Sequence, residues 1–368
     1  MGDMILSINP GGGSTKIGLF RLAAAGQVEE DWTENIRHGY QELDRFPSTV
    51  AQEEFRRDAV LAACGAHDLP RDRLASVAGR GGPLAPMPGG VYEVSEIMLR
   101  HIRAGRVQAD HPSLLGALLA HQLAVPLGIP AYIVDPVSTD ELLPEARLSG
   151  MPGIDRVSLT HALNIKSMCR AAARRLGKAY EELSLVGVHL GSGASVTSHH
   201  HGRMIDLNDS ASEGPFGTQR SGGLPTRALL KWAMAGGIPE RELHATLMRK
   251  GGLAAYTGSD DFPELLRRRR DGDAAADLVY SALLLQVKKE IGAYAAVLDG
   301  RVDAVVIGGG LAYEKDFTTD LEEVVKWIAP VMIFPGEDEL KALAEGAART
   351  VTGLEQPRRY EEEVVDEI

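Results

Sequence analysis

The segment ILSINPGGGSTKIGLF, Ile5 to Phe20, has a counterpart half a chain later in LVGVHLGSGASVTSHHHGRMI, Leu185 to Ile205. Each runs from an apolar strand into glycine and serine and on into a second β-rich stretch. The turns hold Gly11, Gly12, Gly13, Ser14 and Thr15 in the first, and Gly191, Ser192, Gly193 and Ser195 in the second. Glycine lets a backbone approach a ligand closely and take positive φ, and the N–H groups and hydroxyls of such a turn suit phosphate oxygens. One such turn is weak evidence. Two, in matching halves of one chain, imply a duplicated nucleotide-binding core with a cleft between the copies.

Working outward, Ile5–Ile8 and Lys16–Arg21 form a predicted hairpin, with a third strand over Gln27–Asn35. Pro47–Cys64 has helical spacing, Leu74–Gly79 is a short strand, and GRGGPLAPMPGG after it is a loop. Helices are expected over Val94–Ala104, Ser113–Val125, Val157–Leu176, Thr226–Met234, Glu240–Arg249, Ala274–Val297, Leu321–Ala329 and Glu337–Thr350. Strands are expected at Ala131–Val134, Ala304–Ile307 and Val331–Phe334, and the acidic end YEEEVVDEI is expected to fray. Strands lead each half and alternate with helices after that, which is an α/β arrangement with mixed sheets.

Composition bounds the function. The chain has 368 residues, enough for two domains, with 44% hydrophobic and 24% charged residues, as in soluble globular proteins. A net charge of −12 argues against sequence-independent nucleic-acid binding, which needs a basic surface. The run Arg267 to Arg270 is better read as a solvated helix face. Cys64 and Cys169 form neither a disulfide framework nor a metal spacing, and the N-terminus enters a strand without a signal peptide, which together suggest a cytoplasmic protein. Pro112 to Val134 carries no charge over a length that could span a membrane. His121, Gln122, Pro126 and Pro130 point instead to a buried helix followed by a buried strand, so no membrane partner is expected. His199, His200 and His201 look like a metal tract, but side chains alternate along a strand and a hairpin tip is the better account.

Common nucleotide motifs fail. No G-x-x-x-x-G-K-[ST] occurs, so a P-loop is excluded, and Gly308 to Gly310 lacks the third glycine of a dinucleotide fingerprint at Tyr313. Taken together, however, HLGSGASVT, EGPFGTQRSGGLPT and GGGLA closely resemble acetate kinases and, more closely, butyrate kinases. INPGGGSTKIG, GRGGPLAPMPGGVYEV, PAYIVDPVSTDE, RVSLTHALNIKSM and FPGEDELKALAEGA extend the resemblance, in family order, from Ile5 to about Gly353. It implies two duplicated ribonuclease-H-like domains of the actin-like ATPase type, with mixed sheets and an interdomain cleft. Residues 1–136 with 340–368 would form the first domain and 137–339 the second.

By that resemblance Asn9, Ser14, Thr15 and Lys16 belong to the first phosphate hairpin, and His189, Gly191 and Gly193 to the second. Gly308, Gly309 and Gly310 match the turn that holds the adenosine and its phosphates. Arg80, Asp135, His161 and Arg220 match the catalytic set. Asp135 and Glu339 match the magnesium-linked acids, with Glu337 the alternative to Glu339. The implied reaction is ATP plus carboxylate giving ADP plus acyl phosphate, with Mg²⁺, in a homodimer or larger homo-oligomer. The residue types suit it. A short fatty acid is already ionised at neutral pH and needs no general base. It does need relief from repulsion by the γ-phosphoryl group, which Arg80 and Arg220 can supply. His161 and His189 could donate to phosphoryl oxygens. Taken singly, Asp135 before Pro136 could be only a turn residue and His161 only a helix cap. Gly12 and Gly13 stand where butyrate kinases often carry hydroxyl residues, which leaves one phosphate contact to the backbone. A branched-chain or propionate-type kinase, and a catalytically silent nucleotide-binding protein, are the alternatives.

Overall fold

The computed structural model describes residues 2–364. Its strands are β1 (Met4–Pro10), β2 (Ser14–Leu22), β3 (Val28–Arg37), β4 (Leu74–Arg80), β5 (Val91–Glu93), β6 (Ala131–Val134), β7 (Ser184–Leu190), β8 (Ala194–His200), β9 (Arg203–Leu207), β10 (Ala304–Gly309), β11 (Val331–Pro335) and β12 (Arg358–Arg359). The chain forms two compact units, residues 1–140 with 338–368, and residues 141–337.

The sheet of the first unit runs β12-β5-β6-β4-β1-β2-β3, and that of the second runs β11-β10-β7-β8-β9. Setting aside β5 and β12, both follow one plan. Three antiparallel strands in succession come first, and parallel strands then add beside the first of the three. The duplication legible in the two glycine segments is therefore a duplication of strand order and direction.

In the first unit, helix Leu115–Ala124 packs against β4, β6 and β1, and helix Glu339–Val351 packs against the same strands and β2. The approach of the first helix is close. A Cβ on Gly79 would lie 2.0 Å from the Gly116 carbonyl oxygen, and one on Gly116 would lie 2.2 Å from the Arg80 carbonyl oxygen. Two glycines thus set the helix directly onto the end of β4, where Arg80 leaves the strand. Helix Glu339–Val351 buries Leu340, Leu343 and a run of alanines, whose small side chains permit the same close packing. In the second unit, helix Ala162–Leu176 covers β7 and β10 through Ile165, Met168 and Cys169, while helix Ala274–Val297 joins the separate core around Val186, Val188 and Val305.

Several boundaries differ from the sequence reading; the helix expected from Pro47, for one, begins at Glu53. The helix expected from Val157 starts at Ala162, because Arg156 anchors the preceding segment. Its guanidinium binds Asp206 and Glu213 at 2.9 and 3.1 Å. The helix expected over Leu321–Ala329 runs Lys315–Val325, its buried face beginning with Phe317 and continuing through Leu321 and Val325 at four-residue intervals. The acidic end does not begin as a frayed tail. Tyr360 is fully buried and its hydroxyl lies 3.0 Å from His101 Nδ1, while residues 365–368 lie outside the described residues.

Among the described residues no helix is long and apolar enough to cross a membrane. The histidine tract divides three ways: His199 is buried against Tyr180 and Thr197, His200 meets Ser184, and His201 meets the Glu181 carbonyl. Two of the four arginines of the 267–270 run pair with acids, Arg268 with Asp273 and Arg269 with Asp277.

Candidate active site

In the first unit, β1 and β2 pair Asn9 with Lys16 and Pro10 with Thr15, leaving Gly11, Gly12 and Gly13 as the connection. Strand alternation then sorts the side chains. Thr15 points inward and is fully buried, its hydroxyl 2.8 Å from His38 Nε2 and 3.2 Å from Arg56, whereas Lys16 is exposed and Ser14 half-buried. Thr15 was expected among the phosphate contacts. Its hydroxyl is instead taken up behind the turn.

Asn9 and Arg80 both meet Glu339. Asn9 Nδ2 donates to one carboxylate oxygen at 2.5 Å and the Arg80 guanidinium to the other. Glu339 opens its helix, so its carboxylate also lies at the positive end of the helix dipole. Arg80 is nearly buried, and its Nε has no hydrogen-bond partner among the described residues. That leaves one buried guanidinium donor unsatisfied beside the Glu339 carboxylate. Arg80 pairs across the sheet with Val134, so Asp135 leaves β6 one residue beyond that level. Asp135 is fully buried at φ +37°, a conformation rarely occupied by residues other than glycine. Its backbone N–H donates to the Gly90 carbonyl and its carboxylate accepts the Gly90 N–H, both at 2.9 Å.

In the second unit, the β7–β8 turn carries Gly191, Ser192 and Gly193. Segment 217–220 docks onto it: Thr218 N–H donates to Gly191 O, and Gln219 and Arg220 N–H both donate to Ser192 O. This brings the Arg220 side chain over Gly193, where a Cβ would stand 2.6 Å from Arg220 Cδ. Arg220 Nη1 donates to Ser210 Oγ at 2.7 Å. Burial pulls the Arg220 guanidinium below its ordinary pKa, opposed by the charges of Asp209 and Glu337.

His161 and His189 stack with ring centroids 3.9 Å apart and planes 12° from parallel. His161 sits at the start of its helix but makes no cap hydrogen bond; its Nδ1 lies 2.9 Å from Ser195 Oγ. His189 lies between Asn164 Oδ1, 2.8 Å from Nδ1, and Glu337 Oε1, 3.0 Å from Nε2. Glu337 therefore belongs with the second-unit histidines and Glu339 with Arg80. Of the glycine triplet, Gly308 and Gly309 are demanded by packing, since a Cβ would meet Met168 Sδ at 2.0 Å and Leu190 O at 2.3 Å. Gly310 alone faces open space.

The sequence reading missed Asn164, Ser210, His38 and Arg56. Asn164 lies in the quoted THALN motif, three residues after His161, and that spacing on a helix would have flagged it. Nothing local marks Arg56, an arginine within a helix, as different from Arg57.

The fold is that of the acetate and propionate kinases of known structure. The chain superposes on acetate kinase from Porphyromonas gingivalis with a TM-score of 0.74 at 18% identity, covering 95% of this chain and 100% of that one. It superposes on a propionate kinase from Francisella tularensis subsp. tularensis SCHU S4 with a TM-score of 0.69 at 15% identity, covering 94% and 99%. In sequence, residues 153–326 match the Acetokinase family. The chain is 39% identical over 361 residues to a "Probable butyrate kinase" of Clostridium botulinum (strain Alaska E43 / Type E3), covering 98% of this chain and 100% of that one. The chain belongs to the acetokinase family, whose class of activity is carboxylate phosphorylation.

Proposed function

We propose that this protein phosphorylates a short-chain fatty acid, butanoate, with ATP, giving butanoyl phosphate and ADP in a reversible, direct in-line transfer. The observation that carries this reading is the placement of Arg220. A largely buried cation is built onto a glycine turn by three backbone hydrogen bonds of its own segment. Full-length similarity to a probable butyrate kinase supports the choice of acid.

The carboxylate oxygen attacks the γ-phosphorus and the bond to the β–γ bridging oxygen breaks, so ADP leaves with that electron pair. No proton moves, because the acid arrives ionised. The chain's work is positioning and charge neutralisation, as in phosphoryl transfer generally. Arg220 and Arg80 bind oxyanions two oxygens at a time. Asn9, Ser14 and Lys16 bind phosphate at the first turn, with the backbone N–H groups of Gly12 and Gly13. His161 and His189 donate to phosphoryl oxygens, and the backbone at Gly191, Gly193 and Gly310 binds the nucleotide, with Gly308 and Gly309 holding that turn tight against its neighbours. Asp135, fully buried, and Glu339, partly buried, carry carboxylates of the kind Mg²⁺ accepts in company with nucleotide phosphates. Mg²⁺, held there, would neutralise phosphate charge. We take the two compact units as the two domains, and the protein as a cytoplasmic homodimer or larger homo-oligomer.

A hydroxamate assay for acyl phosphate tests the proposal, with ATP, Mg²⁺ and acids from acetate to hexanoate, isobutyrate and isovalerate included. Highest kcat/KM on butyrate, abolished in Arg220→Ala, is the expected result. An optimum on propionate or a branched acid would overturn the choice of acid and keep the mechanism, since one methylene in an apolar pocket is worth about 1–3 kcal/mol. Nucleotide binding without acyl phosphate from any acid would overturn the activity itself.

A further inference from the structure

Arg56, on helix Glu53–Ala66, is fully buried, and no carboxylate among the described residues pairs with it. Its acceptors are the first glycine turn. Nη1 donates to Gly11 O at 2.8 Å and to Ser14 O at 3.0 Å, and Nη2 donates to Gly12 O at 3.1 Å. Nε is held by Gln52 at 2.9 Å, which aims the fork. Gly13 O is taken by the His38 N–H at 2.9 Å. Every carbonyl from Gly11 to Ser14 is thus turned back into the protein and satisfied there. The opposite side of the turn is open. Gly12 and Gly13 are exposed, with no atom beyond the adjoining residues within 4 Å of a Cβ built on either, and their N–H groups have no acceptor among the described residues.

We infer that Arg56 is a positioning residue for the phosphate turn: by holding the carbonyls of Gly11, Gly12 and Ser14 behind the turn it presents the Gly12 and Gly13 N–H groups, backed by a buried positive charge, to the phosphates of the nucleotide. Two features favour this over a purely structural latch. Carbonyl oxygens could be satisfied by a neutral donor, yet a guanidinium is used. A buried cation without a counter-ion costs desolvation that a structural role does not require. Burial pulls Arg56 only to about 10, so it remains charged at neutral pH. Its field then adds to that of the N–H groups at the place where anionic phosphate is bound.

The inference rests on the nucleotide-binding part of the proposed function and is tested apart from turnover. ADP binding to wild type, Arg56→Ala and Arg56→Lys is measured calorimetrically, at a temperature where circular dichroism shows each variant folded. The Kd of Arg56→Ala is expected to rise about tenfold or more, as the unsupported turn no longer presents its N–H groups. Arg56→Lys, which keeps the charge but not the fork, is expected to fall between, and added guanidinium to restore part of the loss in Arg56→Ala. In the acyl phosphate assay the KM for ATP rises while that for the carboxylate does not. A folded variant with unchanged ADP affinity, or with both KM values raised alike, overturns the inference. If Arg56→Ala does not fold, the Arg56→Lys titration decides by the same criterion. Wild type that binds ADP yet makes no acyl phosphate would end the kinase reading and leave the ADP titrations decisive for Arg56.

Discussion

Arg80 and Glu339 are 259 residues apart in sequence and form a mostly buried ion pair, with side chains 11% and 15% exposed. One ends β4 and the other opens the helix that follows the second unit, so the pair closes the first unit on itself. Removing one partner leaves the other charge buried and uncompensated, at a cost of about 3–5 kcal/mol. Glu339→Ala is therefore expected to be markedly less stable in urea melts than wild type, and Arg80→Ala/Glu339→Ala to recover part of the loss. Strictly additive destabilisation would refute the coupling. Neither variant should retain more than about a hundredth of wild-type kcat, by analogy with removal of an oxyanion donor.

The Arg220–Gly193 contact makes a sharper demand. An alanine at 193 would place its methyl 2.6 Å from Arg220 Cδ and 3.1 Å from its Nη1, so the side chain must move. Displacement of about 1 Å costs on the order of 100-fold in rate. Gly193→Ala should fold with a Tm near that of wild type and lose about 100-fold in kcat. A variant as active as wild type would show that Arg220 does not act from this position.

The two thiols should be inert in the native protein. Burial pushes Cys64 up to about 11 and Cys169 up to about 12, so neither is a thiolate at pH 8. Reaction with a thiol reagent at pH 8 is expected to be negligible in buffer and to reach two groups per chain in denaturant. Rapid labelling of folded protein would contradict the burial of both.

His38 links the first turn to pH. Burial lowers its pKa from 6.5, with the nearby Arg56 charge acting in the same direction and Glu42 opposing. The folded chain therefore holds His38 neutral where the unfolded chain protonates it. Stability is full above about 6.5 and falls as pH drops below that value. Urea midpoints of wild type between pH 7.5 and 5.5 should fall more steeply than those of His38→Gln. Parallel slopes would remove His38 as the source.

How much of this was legible beforehand depended on range. The α/β class, the hairpins and most helices could be read from periodicity, because those patterns are set within ten or twenty residues. Helix ends were less accurate where a distant group intervened, as Arg156 does before Ala162. The start at Lys315 was missed because the apolar face was counted from Leu321 and not from Phe317. Motif resemblance named Arg80, Arg220, His161 and His189 but not their partners, and the alternation of β2 alone would have turned Thr15 inward.

By itself the sequence determined that the chain is built from two copies of one strand plan, that each copy carries a glycine turn, and that the family's charged residues are present. Those are properties of local pattern and residue type. Only the tertiary structure decided which glycines face open space and which are forced by packing, that Glu337 joins His189 while Glu339 joins Arg80, and that Arg56 lies behind the first turn. Each of these is a contact between segments tens to hundreds of residues apart. It is made by sheet register and helix docking, and a linear pattern carries no record of which buried neighbour a side chain will meet.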